Sequence, residues 1–358
     1  MERREFLRAL ALAPGLLSGM PILQSALLGS SHSQALGFSS PFPAQGSSEL
    51  ITSNPDFFVR NHFHTPQISS EAWSLNVNGL VGSPQKLSYS DLLLAPSVKR
   101  VLTMECAGNV SGGPGVGNAE WSGISLAELL KQAGASTKAN NVILYGADSG
   151  GGEDVPTDTH FARAITLEKA MDGTCLLAYE MNGAPLPADH GFPLRALVGG
   201  WYGMDSVKWL TRIEVTDQPF QGYFQQKYYV AIGANGDRRP LTRMLVNSKF
   251  LRPSEGEEIR TKMYRIEGVA WAGEGKVTKV ELRTAASEPW RPVTMTSSSS
   301  MIWTRWNYDW TVPRADKYTL EVRASDDGGH VQPDLRDRSR QDSYELNTPH
   351  RISVMARV

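Results

Sequence analysis

LLAYEMNGAPLPADHGFPLRALV, residues 176–198, begins and ends apolar around a stiff polar middle. The run Cys175–Tyr179 is too continuously apolar to alternate, which predicts a strand buried on both faces. After it, Asp189-His190-Gly191-Phe192-Pro193-Leu194-Arg195 carries an imidazole and a guanidinium in a loop that glycine and proline restrain. The theme recurs on either side. Phe57-Phe58-Val59-Arg60-Asn61-His62 sets an arginine, an amide and an imidazole behind an apolar anchor, and Ser206-Val207-Lys208-Trp209-Leu210 places a lysine ahead of an apolar strand. Singly, each segment is more often a satisfied structural polar group. Together they supply the anion-binding donors that a large phosphorylated cofactor requires.

Working outward, Trp73–Gly79 alternates as a strand, Ser88–Leu94 reads as a short capped helix, and Arg100–Met104 is a strand running into Glu105-Cys106-Ala107-Gly108-Asn109. Residues 110–119 read as a Gly-rich loop. Ser125–Gln132 is a helix capped by Ser125 and closed near Gly134, Asn141–Tyr145 is a strand leading to Asp148, and Thr166–Met171 is another short helix. Residues 56–216 thus form an α+β layout. From about residue 240 the texture changes. Ile266–Trp271, Val277–Arg283, Ile302–Trp310 and Tyr318–Ala324 are short alternating segments without a helix, the pattern of an immunoglobulin-like β-sandwich. The boundary falls between Thr216 and Arg243.

Composition bounds the functions. The 358 residues suit two domains of about 100–200 residues each. With 36 basic and 37 acidic residues the chain has no general attraction for nucleic acid or an anionic membrane. Two cysteines exclude a disulfide scaffold and any multi-cysteine zinc or iron–sulfur site, and no C-x-x-C-H occurs to attach a haem. Met1-Glu2-Arg3-Arg4-Glu5-Phe6-Leu7 and the apolar run from Ala9 predict a twin-arginine signal over residues 1–35, with an uncleaved anchor as the alternative. Nothing downstream is apolar enough to span a membrane, so the mature protein is expected free in the periplasm. Cys106, at the mouth of its loop, reads as a nucleophile or a soft metal ligand. Taken alone it reads equally as a small buried residue, or as half of a disulfide with Cys175.

These pieces resemble the sulfite oxidase family of molybdopterin enzymes. The matching stretches are FFVRNH (57–62), ECAGN (105–109), WSGISLAELL (121–130), residues 176–198 and VKWL (207–210). GVAWAGEG (268–275), MIWTRWNYDW (301–310) and VQP (331–333) resemble that family's dimerisation domain. The resemblance implies an α+β molybdopterin-binding domain over 50–235, then an all-β immunoglobulin-like dimerisation domain over 240–358. It implies a Mo-molybdopterin cofactor with Cys106 as the one protein ligand to molybdenum and no haem in this chain. Arg60, Asn61, His62, Asp148, His190, Arg195, Ser206, Val207 and Lys208 match the positions that hold the pterin and its phosphate. Tyr229 matches the active-site tyrosine, with Tyr228 or Tyr223 as alternatives, and Arg60 also matches an arginine of the substrate pocket.

Two departures bear on substrate. Relatives that oxidise free sulfite are expected to carry an arginine soon after the CAGN motif, where this chain has Val110-Ser111-Gly112. A second pocket arginine is expected from the C-terminal domain, where Arg338 or Arg340 substitutes or faces solvent. The implied function is periplasmic sulfite oxidation by oxygen-atom transfer, with electrons passed to a c-type cytochrome, in a homodimer. A sulfane-sulfur dehydrogenase subunit comes second, a periplasmic sulfoxide reductase third, and a secreted binding protein that has lost its cofactor is the reading from another class.

Overall fold

The computed structural model describes residues 51–358 apart from 153 and 297, so the predicted signal segment 1–35 lies outside the described residues. Two five-stranded sheets make up the N-terminal part. The first runs Gln85–Ser88, Ser74–Gly79, Leu210–Thr216, Asn141–Gly150, Thr159–Thr166. Within it only Ser74–Gly79 and Leu210–Thr216 pair in parallel. Alternation decides which side faces in: Leu75 and Val77 are fully buried while their neighbours are not. Helices Leu126–Gln132 and Leu167–Met171 cap this core, each begun by the expected side chain, Ser125 Oγ accepting from Glu128 N and Thr166 Oγ1 from Lys169 N.

The second sheet carries the site. It orders Val98–Glu105, Val116–Ser125, Leu176–Met181 and Ala184–Pro185, with Arg195–Leu197 pairing the far side of Leu176–Met181. Leu176–Met181 is buried along nearly its whole length, as its unbroken apolar run predicts. The expected loop over 110–119 is shorter than read, because strand Val116–Ser125 begins inside it. That strand is buried on both faces, so it shows no alternation, and its glycines disguise it. Gly117 is required there: a Cβ would come 2.7 Å from the Phe57 ring.

The C-terminal part is a sandwich of a four-stranded sheet (Asn247–Arg252, Met263–Trp271, Thr304–Thr311, Thr294–Met295) and a five-stranded one (Glu258–Ile259, His350–Ala356, Asp316–Asp326, Val277–Arg283, Arg291–Pro292). Ile266, Trp306, Leu320 and Val354 fill the space between them. An α+β domain followed by an all-β sandwich is thus the observed fold class. A π-helical turn, Phe224–Tyr228, and a hairpin of Val230–Ile232 with Arg238–Pro240 connect the two parts. No helix among the described residues is long and apolar enough to cross a membrane.

Candidate active site

Strand Val98–Glu105 delivers its inward end, Leu102 to Glu105, into the core and then stops. Cys106 follows at the turn, its N–H donating to Gly115 O at 2.8 Å while Asn109 N–H donates back to Cys106 O at 2.8 Å. Cys106 is almost wholly buried, and both cysteines are free thiols, so the disulfide with Cys175 does not form. Burial pushes the Cys106 thiol up, opposed by the Gly108 N–H and the Arg60 guanidinium. Cys175 donates instead to Lys169 O at 3.3 Å within the apolar core.

The sulfur-bearing turn borders a cleft lined by apolar and charged side chains. Phe57 and Phe58 anchor one wall, with Phe57 stacked on Phe58 at 5.2 Å and edge-on to Trp121 at 5.7 Å. That anchoring turns Arg60, Asn61 and His62 toward the cleft. Arg60 Nη1 donates to Asn61 O at 2.8 Å, and its Nε has no partner. Asn61 Oδ1 accepts from Lys208 Nζ. His62 Nε2 shares a hydrogen bond of 2.6 Å with Tyr229 Oη, and its ring stacks on Phe161 at 4.5 Å. Burial, with help from Arg60, Lys208 and Arg163, holds the imidazole neutral, well below the usual histidine range.

The opposite wall is cationic. Arg195 is buried, held by donation from Nη1 to His190 O at 3.0 Å and from Nη2 to Ser206 O at 3.1 Å, and stacked over Trp121. Its Nε has no partner, and burial brings its pKa down to about 9. Lys208 donates to Asp189 O at 2.8 Å and is pushed down to about 7, by burial first and then by Arg195. His190 is pushed down to about 4 by burial, its Nε2 against Asn54 O at 3.0 Å. Burial raises Asp148 to about 6, and its Oδ1 is unpartnered. Ser206 lines the cleft, its Oγ accepting from Val198 N–H at 3.0 Å.

One predicted contact is displaced. Val207 is fully buried and does not border the cleft; its carbonyl accepts from Ala196 N–H at 2.8 Å, bracing the strand that carries Arg195. Between Val207 and the strand Leu210–Thr216 the backbone turns at Trp209, whose φ of 49° is rare for a bulky side chain. Trp209 Nε1 donates to Ala188 O at 2.8 Å, so the strained turn ties Lys208 to the His190 loop.

Of the three candidate tyrosines only Tyr229 borders the cleft. Tyr223 donates to Asp154 O at 2.5 Å, and Tyr228 packs edge-on to His62 from behind. Sequence reasoning missed what holds Tyr229. Arg163, fully buried, donates to Asp205 at 2.7 Å, to Phe224 O at 2.5 Å and to Leu241 O at 3.3 Å, and its guanidinium lies 5.7 Å from the Tyr229 ring. Tyr344, from the C-terminal part, lies against Tyr229 at 5.5 Å between ring centres. Neither belongs to a recognisable motif, so the sequence carried no local signal for either.

The missing substrate cations have an explanation. Ser111 donates to Thr348 O at 2.7 Å, making a contact between the two parts instead of reaching the cleft. Arg340 is spent on Asp342 at 2.7 Å and Glu345 at 2.6 Å, while Arg338 is exposed. Neither lines the cleft. Arg60 is the candidate substrate cation that does.

Among the described residues no group of three or more His, Cys, Asp or Glu side chains could hold a metal ion, so a metal here must bring ligands of its own. The residues fit such a group. Arg60, Arg195 and Lys208 converge without enough counter-charge, and Arg60 Nε, Arg195 Nε and Asp148 Oδ1 are buried with nothing to bond. A polar, phosphorylated ligand would set its anionic end against the cationic wall and a hydrogen-bond donor against Asp148, leaving the soft Cys106 sulfur for the metal.

Fold and cleft together define a molybdopterin-binding oxidoreductase. Residues 62–224 match the oxidoreductase molybdopterin binding domain, and residues 238–356 match the Mo-co oxidoreductase dimerisation domain. The chain belongs to the sulfite oxidase family, whose cofactor is Mo-molybdopterin. It is 33% identical over 334 residues to the mitochondrial sulfite oxidase of Homo sapiens, covering 82% of this chain and 60% of that one. It is 30% identical over 344 residues to nitrate reductase [NADH] 1 of Arabidopsis thaliana, covering 82% of this chain and 37% of that one. The chain therefore spans about three fifths of the human relative's length. Among solved structures, the sulfane dehydrogenase SoxCD from Paracoccus pantotrophus shares the fold with a TM-score of 0.76 at 24% identity, covering 96% of each chain.

Proposed function

We propose that this chain is a periplasmic molybdenum oxidoreductase that oxidises sulfite to sulfate and passes the electrons to a c-type cytochrome, acting as a homodimer. The observation that carries the reading is the convergence of Cys106, Arg60 and Tyr229 on one cleft whose other wall carries Arg195 and Lys208. The matched domains and the identity to mitochondrial sulfite oxidases support it. Export rests on the twin-arginine pattern at Arg3-Arg4. Homodimer formation rests on the matched dimerisation domain.

When bound, the molybdenum cofactor supplies oxygen-atom transfer and stores the two electrons. The chain supplies charge, orientation and a hydrogen-bond donor at the cleft. Arg195, Lys208 and His190 lie along the cleft wall suited to the cofactor's anionic end. Arg60 lines the cleft, where its guanidinium can meet an incoming oxyanion. Burial keeps the Tyr229 phenol protonated and the His62 imidazole neutral; in the tautomer protonated at Nε2, His62 donates to Tyr229 Oη and leaves the phenol O–H free to donate into the cleft.

One observation favours sulfane sulfur as a second reading. With Ser111 and Arg340 both committed elsewhere, the pocket offers a dianion fewer guanidinium contacts than the departures from the family pattern already implied. Each lost charged hydrogen bond weakens such binding by about 1.5–3 kcal/mol. The test is sulfite-dependent ferricyanide reduction by purified protein of measured molybdenum content. Turnover at high occupancy establishes sulfite oxidation. None at the same occupancy overturns sulfite and moves the assignment to a sulfane or other sulfur substrate.

A further inference from the structure

Glu105 precedes the sulfur that faces the cleft, and its carboxylate points away from that cleft into the junction with the C-terminal sandwich. It is almost fully buried. Its Oε1 accepts from Asn109 Nδ2 at 3.0 Å and from Asn247 Nδ2 at 3.1 Å, and its Oε2 accepts from Trp271 Nε1 at 2.9 Å. One partner belongs to the Cys106 turn and two to the sandwich.

Neither amide can turn round. Asn109 Oδ1 already accepts from Gly115 N–H at 2.9 Å, closing the turn around Cys106, and Gly113 must be glycine because a Cβ would come 2.5 Å from that oxygen. Asn247 Oδ1 accepts from Ser248 N–H at 2.9 Å and from Gln332 Nε2 at 3.1 Å. Gln332 is the glutamine of VQP; its Oε1 accepts from Ser248 Oγ and Ala324 N–H, which fixes its own amide. Trp271 Nε1 is a donor only. The centre of the network therefore needs a group that accepts on both oxygens and donates on neither. A carboxylate meets that demand. The sandwich grips the same turn at its rim through Glu345 N–H to Ala107 O at 3.1 Å and Lys249 Nζ to Gly113 O at 3.4 Å.

We propose that Glu105 is a positioning residue through which the C-terminal sandwich, by way of Gln332, Asn247 and Trp271, sets the orientation of the Cys106 sulfur toward the cleft. The proposal rests on Cys106 being the molybdenum ligand. It gives the C-terminal part a role inside each subunit, separate from any part in dimer formation.

The decisive variant is Glu105→Gln, which preserves shape and changes one acceptor into a donor. Its NH2 must oppose either the Trp271 N–H or the two asparagine amides. Trp271→Phe removes the opposing N–H, so the double variant lets the glutamine oxygen serve both asparagines. The full chain is made with its cofactor, molybdenum occupancy is matched, and the Mo(V) resonance spectrum is recorded after reductive titration. E105Q is expected to show a shifted or heterogeneous spectrum and a kcat lowered roughly 10–100-fold with KM within about twofold, as misorientation costs the reaction rather than binding. E105Q/W271F is expected to regain a single wild-type-like spectrum. A wild-type spectrum in E105Q at equal occupancy overturns the proposal, and so does a double variant no different from E105Q.

If E105Q does not fold, Asn247→Ala and Trp271→Phe alone, each leaving the carboxylate in place, carry the same spectroscopic test. If the wild-type chain takes up no molybdenum, the functional reading fails and the positioning claim is read differently. Alkylation of Cys106 in the metal-free full chain is then expected to be at least about tenfold faster in E105Q than in wild type and slowed again in the double variant, with buried Cys175 as the internal control. Equal alkylation rates overturn it.

Discussion

Removing Lys208 tests whether the cleft is built around a missing anion. In the metal-free chain this ammonium lies near Arg195 and Arg60 and is held down to about 7 from 10.5, by burial first and then by Arg195. A lysine depressed in the folded state is still protonated in the unfolded chain between those values. The unfolded state then binds more protons, and stability rises with pH across that interval. Between about pH 7 and about pH 8.5 the full effect is about 2 kcal/mol at 1.36 kcal/mol per unit. Partial solvent exposure of the side chain cuts it to roughly 1 kcal/mol. Groups that titrate near that window in both proteins, Glu105 raised to about 7 and Arg195 lowered to about 9 by burial, cancel in the comparison with Lys208→Met. His62 and His190 are depressed and uncharged on both sides of folding, and Asp148 and Asp205, both near 6, are ionised. The assay is denaturant unfolding of the metal-free full chain, followed by tryptophan fluorescence at both pH values, for wild type and Lys208→Met. Wild type is expected to gain roughly 1 kcal/mol more than the variant on raising the pH. In the loaded protein an anion beside Lys208 restores its charge, and the difference should shrink. Parallel profiles for the two metal-free proteins would refute the cationic-cradle argument.

Four further outcomes test the proposed function. Cys106→Ser should purify with its fold intact, by circular dichroism, and without molybdenum; retained metal would remove Cys106 from the site. Tyr229→Phe loses the 2.6 Å bond to His62 and should lower kcat roughly 100-fold with little change in molybdenum content. Replacing Arg3 and Arg4 together by lysine should leave the protein in the cytoplasm in a fractionation assay. Sedimentation at micromolar concentration should show about twice the 39.3 kDa chain mass, whereas a single-chain mass would refute the dimer.

What could be read from the sequence was local chemistry; what could not was pairing at a distance. Cys106, Arg60, His190 and Lys208 were legible because each sits in a short segment where glycine, proline or an apolar anchor leaves the polar group one direction to face. Ser88, Ser125 and Thr166 were legible as helix starts for the same reason, since a cap acts within one turn. Strand Val116–Ser125 was misread because burial on both faces erases the period that marks a strand. Arg163 was missed because its partners, Asp205, Phe224 and Leu241, are 42 to 78 positions away. Glu105 was in plain view within ECAGN, yet its meaning lies in Asn247 and Trp271, 142 and 166 positions distant.

The arginines divide by environment into two sets, and the division bears on substrate. Arg336, Arg340 and Arg239 meet Asp342 and Glu345, whose carboxyls are buried, so each positive charge is answered where it stands. Such pairs fix the strap 340–345, which brings Tyr344 against Tyr229 and Glu345 N–H to Ala107 O. Arg60 and Arg195 have no carboxylate partner, and each keeps a buried N–H unused. A buried donor without an acceptor costs about 1–3 kcal/mol, but Arg336 Nε is unpartnered too, so it is the missing carboxylate and the place on the cleft that set Arg60 and Arg195 apart. Under the proposed function the paired set builds the wall and the unpaired set lines the cleft for anions, the cofactor at Arg195 and the substrate at Arg60. On that division, adding a guanidinium at Ser111 would break its contact with Thr348 O before it could strengthen sulfite binding.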